Sequence, residues 1–325
     1  MKVDVGAAPP TAWIRQRERS NRSWLRFMSA VATIAGRRLT RLLLHPIVWV
    51  YILDRRARQH SARYLARALG RPATWGDVYR HLHTFSATVL DRAYLLQERF
   101  DLFRFEASGV EAILEPFGRG EGVLAFGAHL GSFEALRTIG HEKGLRVAMI
   151  MYGDNARLIN ETLAALAPRA ELHTIALGRI DAMLSIRRWL DEGGVAGLLA
   201  DRSLPGNSQR SKAVAFSFLG EPAYFPDGPF RLAAMLRRRV VFMAGLYRGG
   251  RDYDLRFVEL ADFTRLPGAG AGAAGAGERD AAVRAAMQCY VSTLEALCRE
   301  APYNWFNFYD FWADAETPTS ASATP

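Results

Sequence analysis

Cysteine is nearly absent: the 325 residues hold two, Cys289 and Cys298, nine apart. On a helix that spacing turns the two side chains to opposite sides, which excludes a bridge between them and suits a reducing compartment. Long hydrophobic runs are missing as well. The longest, LLLHPIVWVYIL at 42–53, is well short of the ~20 residues a bilayer-spanning helix needs, so no span is predicted. The opening stretch MKVDVGAAPPTAW has no apolar core of the kind a secretory signal uses, and the chain is expected to stay on the cytoplasmic side. His81 and His83 lie two apart on a predicted helix and cannot share an ion. No other cluster has zinc spacing, so neither a metal nor a cofactor is expected.

Acidic residues are scarce at one end only. Residues 1–80 carry sixteen Lys and Arg against four acids, Asp4, Glu18, Asp54 and Asp77. The other 245 residues carry 26 basic and 29 acidic groups, so the net +9 is a surplus of twelve less a deficit of three. Arginines in the basic end alternate with Trp13, Trp24, Phe27, Leu42, Leu43, Trp49 and Tyr51. That mixture predicts a segment lying on an anionic membrane surface, apolar groups in the headgroup layer and guanidinium groups on lipid phosphate. Nucleic acid would need the cations without the apolar partners, and it is not expected as a partner.

From about 24 to 100 the apolar residues recur at three- and four-residue spacing, a helical pattern in which Gly70 and Pro72 end one helix and Thr74 caps the next. After Phe105 the texture changes. The runs GVLAFG (122–127), LRVAMIM (145–151), LHTIAL (172–177), VAGLLA (195–200) and VVFMAGLY (240–247) read as buried strands. The stretches between them, SFEALRTIGHEKG, NARLINETLAALAP, RIDAMLSIRRWLDEGG and DGPFRLAAMLRRR, read as helices. Alternation of this kind predicts an α/β fold with a largely parallel central sheet flanked by helices, preceded by the N-terminal helical, membrane-associating region. YDLRFVEL is expected as an antiparallel strand at one edge. The predicted boundaries are a basic helical region over 1–105, an α/β domain over 106–312 and a disordered tail over 313–325. A Gly/Ala linker at 267–277 lies inside the domain, followed by a helix at about 279–300. The linker contains G-x-G-x-x-G at Gly270, Gly272 and Gly275. Too little chain follows for a dinucleotide-binding unit, and repeated Gly-Ala meets the pattern by accident.

The stretch GVLAFGAHLGSFEALRTIG at 122–140 carries the chemistry. Of the seven histidines, His129 alone has an acid five places on, Glu134. A strand is expected to end at about Phe126 and a helix to open near Ser132, which puts His129 at the carboxyl end of a parallel strand, where crevices form. Glu134, in the first turns of the helix, is expected to reach back to the imidazole, and Gly131 to leave room for a substrate. Such a pair can take a proton from a hydroxyl. Ser132 lacks the second glycine of a nucleophile elbow and is not expected to attack.

The strings HLGSFE, GVAGLLADRSLPGNS, VAFSFLGEPAYFPDGPFRLA and PYNWFNFYDFW resemble, in that order, the late acyltransferases of lipid A biosynthesis, a branch of the glycerolipid acyltransferase group. The resemblance runs over about 13–312 and looks closer to relatives found beside polyketide-like pigment and aryl polyene pathways than to the lipid A enzymes proper. It implies a membrane-associated enzyme, at the cytoplasmic face of the bacterial inner membrane. Such an enzyme moves an acyl chain from a thioester on acyl carrier protein, or from acyl-CoA, to a lipid hydroxyl, with His129 as general base and Glu134 as its orienting partner. Two positions depart from the family's habit: Phe133 stands where Trp is usual, and Asp201-Arg202 where Asp-Gln is usual. Asp201 and Arg202 are read as binding the acceptor headgroup or the acyl donor, or else as an ion pair shaping a loop. Arg157 and Arg169 are candidates for phosphate contact or solvated helix charges. Phe216, Phe218, Leu219, Tyr224 and Phe225 wall an acyl channel or fill the core. Competing functions are hydrolysis of the thioester and a non-catalytic lipid-binding role.

Overall fold

The computed structural model describes residues 22–152, 173–177, 181–202, 213–266 and 272–312. The helix expected at 155–168, with Arg157 and Arg169, lies outside the described residues, as do 1–21, 267–271 and the tail 313–325.

Three helices come first: α1 (Arg22–Leu53), α2 (Arg55–Leu69) and α3 (Trp75–Leu96). The punctuation between the last two is the one read from the sequence. Gly70 closes α2 in the left-handed conformation at φ 65°. Thr74 then opens α3 with a reciprocal cap, its hydroxyl accepting from the Asp77 N–H and its own N–H donating to the Asp77 carboxylate. Each cap satisfies N–H groups that the first turn would leave unpaired. α1 breaks at Gly36, with φ 72° and ψ 162°. Directly after the break Arg37 grips the fully buried Asp91 of α3 with two hydrogen bonds of 2.7 Å.

The sheet has seven strands: β1 (Arg104–Ser108), β2 (Val123–Gly127), β3 (Val147–Tyr152), β4 (His173–Leu177), β5 (Val195–Leu199), β8 (Arg239–Gly249) and β9 (Asp252–Asp262), in the order β1-β9-β8-β2-β5-β3-β4. A hairpin of β6 (Ala213–Phe218) and β7 (Glu221–Pro226) forms a separate two-stranded ribbon. The central strands run parallel, and β8 and β9 are antiparallel. The antiparallel strand expected at the edge is therefore present but one place in, because β1 pairs alongside β9 and takes the edge. That strand begins at Arg104, so the expected boundary at 105/106 falls inside it.

Alternation along the central strands sends Leu124 and Phe126 to one apolar core and Val123 and Ala125 to the other. Helices cover both: α4 (Glu111–Gly118), α5 (Phe133–Lys143) and much of α3 pack on the second face. On the first lie α6 (Ala182–Asp191), α7 (Gly228–Leu236) and α8 (Gly272–Glu300). A strand buried on both sides has no polar face to show, which is why these segments read as unbroken apolar runs. α8 starts at Gly272, inside the stretch expected as linker, and carries both cysteines as free thiols. Phe216, Phe218, Leu219 and Phe225 are core, packed with Tyr290, Trp305 and Phe311 rather than lining a channel, and Tyr224 alone of that group is exposed.

Candidate active site

The register between β2 and β5 builds the site. These parallel neighbours pair Val123 with Val195 and Gly127 with Leu199, an offset of 72 that carries on past the strand ends. Two residues beyond each end, it brings His129 against Asp201. The contact is double. Imidazole Nδ1 lies 2.9 Å from Asp201 Oδ1 and 3.1 Å from Oδ2, and the His129 backbone N–H donates to Oδ2 at 3.1 Å. A third donor, the Trp305 indole N–H, reaches Oδ2 at 3.3 Å.

Asp201 is fully buried. Burial by itself would raise its pKa, but the imidazole it accepts from and the neighbouring Arg202 guanidinium outweigh that, and the carboxyl is held well below the usual carboxylate range. An ionised carboxylate only accepts, so the Nδ1 beside it carries the hydrogen. In the neutral imidazole the lone pair is then on Nε2, which has no partner among the described residues, while 34% of the side chain is exposed. The geometry leaves one basic nitrogen accessible.

Glu134 does not meet the imidazole. Its carboxylate pairs with Arg92 of α3 at 2.7 Å and accepts from the Ser132 hydroxyl at 3.2 Å. Ser132 is the N-cap of α5, its Oγ accepting from the Ala135 N–H, which is a structural use of that hydroxyl. Gly131 makes room for main chain and not for a substrate. It sits at φ 70°, and a Cβ there would lie 2.0 Å from the Gly245 carbonyl of β8. The Ser132 N–H donates to that same carbonyl at 2.8 Å.

Residues 301–308 form a strap over the turn. The Gly131 N–H donates to the Asn304 carbonyl at 2.8 Å, and the Phe306 N–H to the His129 carbonyl at 2.7 Å. The Asn304 side chain bonds both backbone groups of Tyr247 in β8. Arg202, beside Asp201 as expected, donates to the Phe306 carbonyl at 3.0 Å and lies over the Tyr309 ring. Sequence reading gave no role here to Trp305, Asn304 or Arg92, and weighed His81 only as a metal ligand. The available signal was in the strands: two apolar runs, VLAFG and VAGLL, each followed by alanine and then by His129 or Asp201.

Among the described residues no three His, Cys, Asp or Glu side chains gather as a metal site requires. Held by Asp201, the His129 imidazole stands at the open end of a parallel sheet, an arrangement suited to moving a hydroxyl proton. No curated protein matches the chain. The model of a family described as bacterial lipid A biosynthesis acyltransferase matches residues 89–313, a span that takes in every strand from β1 to β9, His129, Asp201 and the strap. With more than half the sequence matched, the chain belongs to the bacterial lipid A biosynthesis acyltransferases, enzymes that transfer acyl groups to lipid.

Proposed function

We propose that the protein transfers a fatty acyl group from a thioester, on acyl carrier protein or coenzyme A, to a hydroxyl of a lipid or glycolipid acceptor, with His129 as general base. The carrying observation is the accessible Nε2 of His129 opposite an Nδ1 held by buried Asp201. Nε2 takes the acceptor's hydroxyl proton as its oxygen bonds to the thioester carbonyl carbon. The tetrahedral oxyanion then collapses, the carbon–sulfur bond breaks, and the imidazolium returns its proton to the departing thiolate. Asp201 holds the productive tautomer and offsets the imidazolium's charge, the part first read for Glu134. Glu134 instead fixes the opening of α5 through Arg92 and Ser132. In that opening the Gly131 and Ser132 amides are already bonded. The Phe133 and Glu134 amides, at the positive end of the helix dipole, are the donors proposed for the oxyanion. Arg202 adds donors suited to a carboxylate or phosphate of the acceptor.

The reaction is proposed to run on an anionic bilayer, at the cytoplasmic face of the bacterial inner membrane. No helix of the described residues is long and apolar enough to cross a membrane. α1 nevertheless exposes Leu39, Leu42, Trp49, Val50 and Leu53 while burying Leu44, Val48 and Ile52. An apolar face flanked by arginines supports adsorption to an anionic surface.

The test supplies purified protein with a radiolabelled acyl thioester on carrier protein and with membrane lipids. Labelled lipid is expected from the wild type and none from His129→Ala. Full turnover by the alanine variant would remove the base assignment, and release of free fatty acid without lipid would favour a hydrolase. Co-sedimentation with anionic but not neutral vesicles checks the membrane reading.

A further inference from the structure

We propose that Trp305 is a positioning residue for the reaction: its indole N–H fixes the plane of the Asp201 carboxylate, and His81 fixes the indole by holding the Trp305 carbonyl. The inference rests on the reading of His129 as base.

A carboxylate turns easily about its last torsion, which is broad and weakly preferred. Its other donors, the backbone and Nδ1 of His129, belong to the residue whose position is to be set. Alone they would let turn and carboxylate move together. The indole N–H comes from another segment and ties Oδ2 to the body of the protein. The Trp305 ring is itself immobilised, fully buried and edge-on to Tyr64 at 4.9 Å, Phe218 at 5.3 Å and Phe311 at 4.9 Å.

The Trp305 carbonyl lies 2.9 Å from Nε2 of His81, which is wholly buried in α3. The Ser61 hydroxyl of α2 lies 2.8 Å from the other ring nitrogen. Since a carbonyl only accepts, Nε2 of His81 is the protonated nitrogen, and its bare Nδ1 accepts from Ser61. A single buried series of hydrogen bonds thus runs from α2 through α3 and the strap to the imidazole of His129. It lets two helices outside the sheet determine where the base points.

The experiment is Trp305→Phe, which keeps an aromatic ring and removes the donor together with part of the bicyclic ring. A carboxylate with one donor fewer is more basic and favours the imidazolium more strongly. We expect kcat to fall about tenfold, the size of one hydrogen bond to a charged group, with KM for both substrates little changed. We also expect the acid limb of the rate profile to move to higher pH. The other titratable or charged groups facing Asp201 are Arg202, Tyr290 and Cys298. Arg202 stays charged, and burial keeps the phenol and thiol protonated, so none of them mimics that shift. His81→Gln retains a donor for the carbonyl and should stay near wild type, whereas His81→Leu should behave like Trp305→Phe. A Phe variant with the wild-type limb, or one whose lost activity follows lost folding with no shift of the limb, overturns the proposal. Should that variant fail to fold, the His81 pair decides: equal kcat and equal limbs in Gln and Leu overturn it. Undiminished turnover by His129→Ala would instead remove the base on which it rests.

Discussion

His81 should make the protein's stability depend on pH by an amount the structure fixes. Burial is the largest influence on this imidazole and pulls its pKa from 6.5 to about 4, against the smaller opposing pull of the Trp305 carbonyl. A histidine with a depressed folded pKa contributes stability that is present above the unfolded value and is lost as pH falls. Between pH 6.5 and 4 the unfolded chain takes up a proton that the folded protein refuses. The gap of 2.5 units, at about 1.36 kcal/mol each, comes to roughly 3 kcal/mol by pH 4. Against a typical total of about 5–15 kcal/mol that is a large fraction. The quantity to measure is the difference between wild type and His81→Gln in urea unfolding at pH 7 and pH 4, which isolates this one imidazole. The wild-type advantage at neutral pH should shrink by about 3 kcal/mol over that range. A difference that stays flat would mean that His81 is either exposed or already charged in the folded state, and the assigned hydrogens of the buried series would be wrong with it.

Four further outcomes follow from geometry. In Asp201→Asn the amide oxygen is claimed by the His129 and Trp305 N–H groups, which turns NH2 toward Nδ1 and leaves no charge to offset an imidazolium; kcat should fall by a factor on the order of 10³–10⁴ in the acyl-transfer assay, whereas Glu134→Gln should leave the acid limb of the rate profile in place. Gly131→Ala sets a Cβ against the Gly245 carbonyl at 2.0 Å from a left-handed backbone, and should cost about 2–4 kcal/mol in chemical unfolding. Asp91→Ala strands Arg37, whose side chain is 11% exposed, and should cost about 3–5 kcal/mol, read as a fall in Tm; full stability would mean that α1 is held by its apolar contacts alone.

What the sequence made legible is what local chemistry determines. Thr74 and Asp77 form a cap because the residues lie three apart, and the central strands are continuous apolar runs because both of their faces are covered. His129 stood out because it follows such a run. Its partner was misread because partnership depends on strand order. Nothing in VLAFG or VAGLL says that β2 and β5 are neighbours in register. Glu134 was attractive for being close in sequence, yet Arg92, 42 positions earlier, claims it. Gly131 was taken for a substrate's opening because a glycine does not reveal whether main chain or ligand fills the space beside it. The edge position went to β1 for a similar reason, since RFEAS alternates too briefly to stand out.

The strap follows every strand along the chain, yet it supplies the bonds that close over the turn bearing His129. The sheet and the seating of that turn are therefore contributed by separate stretches of sequence. A chain cut after residue 300 should keep the strands while losing the bonds that seat the imidazole.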